Sequence, residues 1–459
     1  MSDHGETFDV IVIGAGLAGC VAALSAAELG ASVLLLERLE TPGGSSVMSA
    51  DCYAFADTHI QRLAGISDSL ALLHQDLMAV GGGESDLDLI DAYTKEQLPT
   101  FNWLVSHGAA FRPEVDAGAG QSVPRVHTAD TKDLLCSLLG DCLATRRVST
   151  RCGMWVQRLE RDSEQRVRRV HVQTPVGFEK VIARRGVILA TGGFARDQGL
   201  VHRYAPQLDG VLSISGPASN GDGLRMACAL GADTRDMNFI KGTFGFPLEE
   251  GRGLLNCMAV YKGAIAVNHA GERFTDESQS YKILGDACLR QPGQVAYQIF
   301  DQDILDSGEP AVRILNLMGY YRAGLFLSAS SLEELAQQIG VPGDTLKETV
   351  ERYNRDAAAG LDSAFRRRHL VHEFGALRPI RHPPFYAYPS KVAILGTYCG
   401  VALDGQMRVR DVFGEIIPGL YAAGEVVGGF HGAAYMTGSA LGKAAVFGRL
   451  AARQIALEG

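Results

Sequence analysis

The sequence predicts an α/β fold built on a parallel sheet, and three observations favour this class. A β-branched apolar run at residues 8–13 is followed at once by a glycine-rich turn and an alanine-rich stretch. A second apolar run, residues 31–36, comes directly after Gly30. Glycine makes up 54 of the 459 residues, about 12%, against ~7% on average. Short apolar strands that alternate with helices are typical of a parallel sheet whose strands are buried on both faces.

Composition limits the classes of function. Hydrophobic residues make up 46% and charged residues 21%, as in ordinary globular proteins. The net charge is −9 and no Lys/Arg-rich block stands out, so we expect no nucleic-acid partner. The nine cysteines are scattered without a CxxC pair, which is typical of thiols in a reducing compartment. The first nine residues are acidic, and glycines interrupt the apolar run 10–27, so we expect a cytoplasmic protein without a membrane span.

The N-terminal segment predicts a strand, a turn and a helix. The strand 8–13 leads into Gly14, Gly16 and Gly19, spaced as GxGxxG, and residues 20–29 form the helix. In this arrangement the first glycine permits a tight turn, the second allows a close approach to a pyrophosphate, and the third lets helix and strand pack closely. The free N–H groups at the start of the helix bind the pyrophosphate charge.

An acid at the end of the second strand completes a dinucleotide site. Glu37 lies 18 residues after Gly19, where a carboxylate accepts hydrogen bonds from an adenosine ribose. An acid at this position, rather than an arginine, argues against a 2′-phosphate on the ribose. The sequence therefore predicts a Rossmann-type dinucleotide-binding unit.

Four further motifs decide which dinucleotide is expected. They are PGGSS at 42–46, LATGG at 189–193, SNGDG at 219–223 and PGLYAAGE at 418–425. In this order the set resembles the flavoprotein superfamily of the fumarate reductases and the 3-ketosteroid dehydrogenases, over nearly the whole chain. The resemblance implies FAD rather than NAD. Some relatives attach FAD through a histidine near residues 45–50, but no histidine lies between residues 5 and 58, so we expect non-covalent FAD.

The resemblance also implies the domain organisation and the cofactor contacts. It predicts a Rossmann-type FAD-binding domain at 6–237 and 397–459, and an inserted α+β capping domain at 238–396. Within the cap, residues 331–339 and 344–357 have the apolar spacing of amphipathic helices. The residues expected at the cofactor are Gly14, Ala15, Gly16, Ala18, Gly19, Glu37, Arg38, Gly43, Gly44, Ser45, Ser46, Val156, Ala190, Thr191, Gly192, Asn220, Asp222, Glu425, Ser439 and Leu441.

The substrate-binding positions of the dicarboxylate reductases have all changed in this chain. Members of that group hold their substrate with histidines, a Thr-Glu pair and arginines at five motif positions. The residues at these positions here are Thr243, Asn256-Cys257, Tyr281, Gly396 and Tyr435. Because neither a guanidinium nor an imidazole remains, the sequence argues strongly against a C4-dicarboxylate substrate, and less strongly against other enoates.

Two tyrosines stand where two arginines are expected. Tyr281 ends a GxRFxxExxxY stretch, and Tyr435 follows His431 in HGAAY. The ketosteroid dehydrogenases have tyrosines at these same two motif positions, one to remove the proton next to a ketone and one to donate to the ketone oxygen. The stretch from Tyr435 to Gly438 resembles the Δ4-type members, and it lacks the proline that follows the tyrosine in the Δ1 type.

These residues imply a mechanism for dehydrogenating a ketone. Tyr435 and the Gly438 N–H form a donor pair at the developing enolate oxygen, with Thr437 as a support for Tyr435. Tyr281, as phenolate, takes the α-proton, and the β-hydride passes to flavin N5. A free phenol has a pKa near 10, so we expect a neighbouring donor or cation to lower the pKa of Tyr281. His431 serves either flavin packing or substrate contact.

The sequence thus favours an FAD-dependent dehydrogenase that desaturates the α,β bond of a cyclic ketone, either a steroid-like 3-ketone or a smaller cyclohexanone. The alternative is an enone or enoate reductase of the fumarate reductase type that acts on a substrate other than a C4-dicarboxylate. A third reading is a flavin-binding protein that no longer turns over. Since the chain has no haem motif and no iron–sulfur cysteine set, electrons are expected to pass to or from a separate quinone-like or protein partner.

Overall fold

The strands and helices below come from a computed structural model that describes residues 5–240, 242–248, 256–310, 312–371 and 374–457. The strands are β1 (Glu6–Ile13), β2 (Val33–Leu36), β3 (Cys52–Ala54), β4 (Val115–Asp116), β5 (Val126–Thr128), β6 (Val148–Arg151), β7 (Trp155–Arg161), β8 (Val167–Thr174), β9 (Gly177–Leu189), β10 (Thr234–Arg235), β11 (Thr243–Phe246), β12 (Ile265–Val267), β13 (Ala296–Asp301), β14 (Leu327–Ala329), β15 (His369–Val371), β16 (Phe374–Ala376), β17 (Phe385–Ala393), β18 (Gly400–Val401), β19 (Arg408–Arg410) and β20 (Ile416–Ala422).

The helices are α1 (Leu17–Glu28), α2 (His59–Leu63), α3 (Leu70–Val80), α4 (Leu87–Ser106), α5 (Thr131–Thr145), α6 (Gln198–Tyr204), α7 (Asp222–Ala229), α8 (Tyr281–Leu289), α9 (Gln302–Asp306), α10 (Leu317–Arg322), α11 (Leu332–Ile339), α12 (Gly343–Ala359) and α13 (Ser439–Leu457). Short 3₁₀ turns lie at Ser46–Met48, Pro206–Leu208, Ala259–Lys262, Pro292–Gln294, Arg313–Leu315 and Gly424–Val426.

An eight-stranded sheet includes β1 and β2, the two strands of the predicted N-terminal dinucleotide-binding unit. Its main path runs β19-β20-β9-β1-β2-β6, and the β7–β8 hairpin extends it from β9. The pairs of β1 with β2 and β9, of β2 with β6 and of β9 with β20 are parallel, so the predicted α/β fold class is confirmed. The helix after β1 begins at Leu17, three residues before the predicted start, which places Gly19 inside the helix rather than in the turn.

Helices α1 and α13 pack against each other in close contact beside this sheet. A Cβ atom at Gly448 of α13 would lie 2.6 Å from the Ala18 carbonyl oxygen of α1, so the approach depends on the missing side chain. The many alanines of α1 have the same effect, because small side chains let two helix backbones come near each other. This packing holds the N-terminus of α1 at the end of β1.

A second, five-stranded sheet is antiparallel and lies wholly within residues 243–393. Its order is β11-β17-β13-β12, with β14 also paired to β17. The predicted amphipathic helices of this region are α11 and α12. Ser331 caps α11 by accepting from the Glu334 N–H at 3.1 Å, while the Glu334 carboxylate accepts from the N–H of Ser330 rather than of Ser331.

The two segments that join the sheets run side by side. Strand β10 precedes the second sheet, β18 follows it, and the two pair antiparallel, with Thr234 opposite Val401. The Ile394 N–H donates to the Leu212 carbonyl at 2.9 Å at the same junction. The predicted boundaries at 237/238 and 396/397 fall within these connections; where one domain ends and the other begins stays a prediction.

Four buried charged side chains hold the loop in front of α8. Arg273 binds Glu277 at 2.6 and 2.8 Å and Asp362 at 2.9 Å, and Arg367 lies 3.3 Å from the same Glu277. Each charge therefore has an opposite partner where water cannot reach it. The GxRFxxE stretch supplies two of the four, and Tyr281 begins α8 only four residues after Glu277. This cluster therefore fixes where Tyr281 enters the fold.

Within the described ranges, none of the helices has both the length and the apolarity needed to cross a bilayer.

The Glu277→Ala variant should destabilise the fold. Removing Glu277 leaves Arg367 without a carboxylate and Arg273 with only Asp362, and breaking a buried ion pair costs about 3–5 kcal/mol. The measurement is the thermal unfolding midpoint by circular dichroism. The matched control is Glu333→Ala, which removes an exposed glutamate paired with Lys347 and should leave the midpoint unchanged. Equal midpoints for the two variants would contradict a structural role for the cluster.

Candidate active site

One long cleft runs past the carboxyl ends of β1, β2 and β9 and reaches the second sheet. Ile13, Leu36 and Ala190 line it where these three strands end. In a doubly wound parallel sheet, ligands bind in the crevice at this edge. Residues of the second sheet region, among them Thr243 and Tyr281, line the same cleft, so it joins the two parts of the fold.

The turn at the start of α1 accepts only glycine at two positions. A Cβ atom at Gly19 would lie 1.8 Å from the Gly14 carbonyl oxygen. Gly14 itself has a φ of +103°, and a Cβ there would lie 2.4 Å from the Ala190 oxygen. Gly16 also lines the cleft, where a Cβ atom would lie 3.3 Å from the Ser46 hydroxyl oxygen, so its missing side chain leaves the backbone open to a ligand. The turn thus brings the N-terminus of α1 to the cleft, where it binds an anionic group.

The expected ribose acid is held in place by backbone donors. Glu37 accepts from the Ala15 N–H at 2.8 Å and from the Leu39 N–H at 2.9 Å. Beside it, Arg38 donates to Asp222 at 2.7 Å and stacks over the Trp155 ring at 4.5 Å, and Trp155 also donates to Asp222. This group forms one end of the cleft. Sequence reasoning missed Trp155, because a single tryptophan in a strand carries no motif.

The serines expected at the flavin line the cleft, but their hydroxyls bind the backbone. Ser46 accepts from the Leu17 N–H at 3.0 Å and thereby caps the start of α1. Ser45 accepts from the Gly216 N–H at 2.8 Å. Both residues therefore shape the middle of the cleft.

Glu425, expected along the cofactor chain, accepts from the Thr397 N–H at 2.8 Å, and burial raises the pKa of its carboxyl group.

The cleft suits a long polar ligand. The Thr191 hydroxyl and the Nε2 atom of His431 are both shielded from solvent and have no hydrogen-bond partner within the described part of the chain, and both residues line the cleft. Shielded polar atoms normally have partners, so orphaned atoms such as these in one cleft indicate a bound group. Together with the open backbone at Gly16, this fits a dinucleotide.

Most residues predicted to touch the cofactor line the cleft, and five do not. Those in the lining are Gly14, Gly16, Ala18, Glu37, Arg38, Gly44, Ser45, Ser46, Val156, Ala190, Thr191, Gly192, Asp222, Glu425 and Leu441. The five that lie outside the lining are Ala15, Gly19, Gly43, Asn220 and Ser439. Two of the five make hydrogen bonds to neighbouring residues instead. The Ala15 N–H donates to Glu37, and the Ser439 hydroxyl donates to the Met436 carbonyl at 2.7 Å.

Two phenols meet at the end of the cleft near the second sheet. Tyr281, in the first turn of α8, and Tyr435, in the loop before α13, have ring centroids 5.9 Å apart. The Gly438 N–H donates to the Tyr435 hydroxyl oxygen at 3.1 Å. The sequence analysis expected these two groups to face the substrate side by side, but here the N–H lies behind the phenol. Gly438 has a φ of +86°, and a Cβ there would lie 2.9 Å from the Ala54 nitrogen.

Tyr398 and Lys282 also lie at the end of the cleft where the two phenols meet, and neither was predicted from the sequence. Tyr398 lies 4.9 Å from Tyr435 by ring centroids and has a φ of +56°, a strained conformation for a tyrosine. The Lys282 ammonium lies 4.5 Å from the Tyr398 ring centre and donates to the Thr243 hydroxyl at 2.6 Å. Tyr398 follows Gly396 by two residues, which was its only signal in the sequence.

Comparisons with known proteins show the family of this chain. The family model described as the FAD binding domain matches residues 9–441. The chain belongs to this FAD-binding flavoprotein family. The resemblance inferred from the motifs and the expected cofactor, FAD, are thereby confirmed.

Relatives of this flavoprotein carry out redox chemistry on several substrates. Fumarate reductase (cytochrome) of Shewanella frigidimarina is 31% identical over 455 residues, which cover 98% of this chain and 77% of that protein. The 4-oxocyclohexanecarboxylate 2-dehydrogenase of Sinomonas cyclohexanicum is 28% identical over 555 residues, covering 98% and 93%. The structure of 3-ketosteroid Δ4-(5α)-dehydrogenase from Rhodococcus jostii RHA1 with 4-androstene-3,17-dione matches with a TM-score of 0.80 and 27% identity, covering 99% and 98%. This flavoprotein is an FAD-dependent oxidoreductase.

Burial keeps both phenols of this flavoprotein protonated. Desolvation raises the pKa of Tyr281 well above its ordinary value, the neighbouring phenols of Tyr435 and Tyr398 raise it further, and the nearby Thr437 hydroxyl offsets little. Desolvation likewise raises the pKa of Tyr435 to about 12, in spite of the Gly438 hydrogen bond. The expectation that a neighbour lowers the pKa of Tyr281 is therefore wrong, because desolvation outweighs the groups around it.

His431 is neutral for the same reason. Burial lowers its pKa well below the ordinary value, and the charges of Lys443 and Lys282 lower it further. Its Nδ1 atom lies 3.5 Å from the Ser439 hydroxyl oxygen, which already donates its own proton to a carbonyl. The proton of the ring therefore belongs on Nδ1, and Nε2 is an acceptor.

The position of Thr437 is fixed through its backbone. Its carbonyl oxygen accepts a hydrogen bond from the Gln121 side chain at 2.9 Å.

The Gly19→Ala variant should lose FAD. The new Cβ meets a backbone oxygen at 1.8 Å, so the turn that presents the N-terminus of α1 cannot form. We expect the purified protein to have less than about a tenth of the normal flavin content, read from the absorbance ratio of flavin to protein. The control is Gly140→Ala in α5, where the added Cβ meets nothing within 4 Å and full flavin content is expected. A fully loaded Gly19→Ala protein would contradict this account of the turn.

Proposed function

We propose that this flavoprotein dehydrogenates the α,β carbon–carbon bond of a cyclic ketone and forms the conjugated enone. The observation that carries the proposal is the pair of phenols, Tyr281 and Tyr435, which face one another in the cleft. Both stand at motif positions where the ketosteroid dehydrogenases have tyrosines. Two of the relatives are named for action on cyclic ketones, and this supports the proposal.

Tyr435 stabilises charge at the ketone oxygen. A saturated carbon–carbon bond releases hydride only if negative charge can develop elsewhere, and an adjacent carbonyl accepts that charge as an enolate. The Tyr435 O–H donates to the oxygen, and the Gly438 N–H behind it polarises the phenol. A donor that acts in this way is worth roughly 3–4 kcal/mol in the transition state.

Tyr281 accepts the α-proton. Because its pKa is high, only a small fraction of the free protein carries the phenolate at neutral pH. Bound FAD supplies the hydride acceptor for the β-carbon. The electrons then pass to a separate quinone-like or protein acceptor, since the chain has no haem motif and no iron–sulfur cysteine set.

The wall of the cleft beside the phenols is suited to a ring. Phe246, Ile314 and Leu395 contribute apolar surface to the cleft, and Thr243 is a polar residue of the same lining. Thr243 accepts a hydrogen bond from the Lys282 ammonium, so its own O–H can donate to a substrate oxygen. The site thus combines an apolar face with a small number of hydrogen-bond donors at fixed positions, as ligand pockets usually do.

One observation favours a second candidate, the reduction of an enone or enoate other than a C4-dicarboxylate. The phenol of Tyr281 is protonated, and the protonated phenol is the form that reduction requires. The same two tyrosines serve both directions, with the proton moving the opposite way.

Bleaching of the oxidised flavin by ketones supports dehydrogenation, while reoxidation of the dithionite-reduced protein by enones supports reduction.

Replacing either phenol should slow the half-reaction. For Tyr281→Phe and Tyr435→Phe, we expect the rate of flavin bleaching by ketone under anaerobic conditions to fall at least ~100-fold, because one loses the base and the other the oxyanion donor. Candidate ketones are cyclohexanone, 4-oxocyclohexanecarboxylate and a 3-ketosteroid. The control is Tyr353→Phe, which removes a buried hydroxyl without a hydrogen-bond partner in the described chain and outside the cleft. Rates within twofold of the parent for both active-site variants would refute the assignment.

The two directions should differ in pH dependence. Since the pKa of Tyr281 lies well above 10, the phenolate fraction grows about tenfold per pH unit, and the rate of flavin bleaching by ketone should rise with that slope without a plateau below pH 10. Reduction of an enone needs the phenol and should be flat over the same range. Stopped-flow absorbance measures both. The Tyr281→Phe variant should lose the slope; a slope that persists would exclude Tyr281 as the base.

A further inference from the structure

We propose that Arg313 binds a carboxylate of the substrate, so that the preferred ketone is a monocarboxylic keto acid. This inference rests on the proposed function and adds the substrate class to it. No motif in the sequence marks Arg313, and the sequence analysis did not single it out. In the structure it lines the same cleft as Tyr281 and Tyr435.

The backbone of Arg313 is fixed beside a substrate-facing position. The Tyr320 hydroxyl oxygen lies 2.9 Å from both the Arg313 and the Asn256 carbonyl oxygens, and the Met258 N–H donates to the Ile314 carbonyl at 2.9 Å. Asn256 lines the cleft at the motif position that holds substrate in the dicarboxylate reductases. The 3₁₀ turn that starts at Arg313 is therefore anchored to the substrate end of the cleft.

The thiol of Cys52 lies close to both Arg313 and the catalytic end. Burial raises the pKa of Cys52 to about 12, and the Arg313 charge is one of the groups that lower it. The Cys52 charge in turn raises the pKa of Tyr435. All three residues line the cleft. The guanidinium therefore lines the same cleft as the phenol that binds the ketone.

Among the described residues, Arg313 has no ion-pair partner. The residue is partly buried, the one hydrogen bond described for its guanidinium is a long contact of 3.4 Å to the Met48 carbonyl, and no carboxylate of the described residues lies within 4.0 Å of it. Three other cations of this region are each paired with an acid: Arg273 and Arg367 with Glu277, and Lys262 with Glu309. A cation held in a cleft without an acid is suited to an anionic ligand.

The other cations in the cleft lining are engaged. Arg38 binds Asp222, and Lys443 donates to the Val427 carbonyl at 3.1 Å and faces Glu425. One guanidinium fork matches one carboxylate in a bidentate pair. The site therefore fits a monoanion, with the ketone at Tyr435 and the carboxylate at Arg313, rather than a four-carbon diacid.

The Arg313→Met variant tests the inference. In anaerobic titrations followed by flavin bleaching, the apparent Kd for 4-oxocyclohexanecarboxylate should rise roughly 30-fold or more, while that for its methyl ester stays within twofold. Arg313→Lys should recover part of the loss, because an ammonium keeps the charge without the fork. The control is Arg322→Met, which removes an exposed arginine of α10 and should behave as the parent.

Reversing the charge at position 313 should change which ligand charge the site prefers. Arg313→Glu should reject 4-oxocyclohexanecarboxylate and bind 4-(aminomethyl)cyclohexanone more tightly than the parent does. Binding of cyclohexanecarboxylate, which carries no ketone, is measured by perturbation of the flavin spectrum and does not depend on turnover. It should be lost in Arg313→Met.

The outcomes separate the two ideas. If acid and ester bleach the flavin of Arg313→Met as well as that of the parent, the carboxylate site is refuted and the dehydrogenase stands. If no ketone bleaches the parent flavin, the proposed function fails, and the binding of cyclohexanecarboxylate still decides whether Arg313 holds an anion. Loss of FAD from Arg313→Met would show that the guanidinium serves the cofactor, and this would overturn the inference.

Discussion

Four buried charges, Arg273, Glu277, Asp362 and Arg367, fix the loop that carries Tyr281, and the active site depends on that placement. Tyr281 belongs to the segment of the second sheet, while Tyr435 precedes the last helix of the main sheet. The two phenols meet only because the segments pack with the cleft between them. A buried ion network is well suited to this purpose, because it specifies one geometry even where its net contribution to stability is modest.

Desolvation decides the electrostatics of the cleft. It keeps the phenols of Tyr281 and Tyr435 protonated, keeps His431 neutral and lowers the pKa of Lys443 to about 8. An anion bound there is therefore stabilised mainly by hydrogen bonds. In such an environment each placed donor has a larger effect than it has in water, and an anionic substituent needs a dedicated partner, which is the place that Arg313 fills.

Local patterns predicted much of the FAD end of the site. The β1–α1–β2 unit follows from apolar runs and glycine spacing, and the structure explains the glycines by backbone contacts at Gly14 and Gly19. The predicted helix start was late by three residues, since residues that look like a turn complete the first turn of α1. Trp155 and Tyr398 escaped prediction because their partners lie far away in the chain.

The sequence by itself determined the β1–α1–β2 order, the dinucleotide turn and the two tyrosines of the motifs, because each depends on neighbouring residues whose spacing favours one local conformation. Only the tertiary structure decided that Gly438 lies behind Tyr435, that Lys282 donates to Thr243, and that Arg313 reaches the cleft without an acid beside it among the described residues. It also decided the protonation of the phenols. These properties depend on burial and on contacts between distant segments, and neither can be read from residue order.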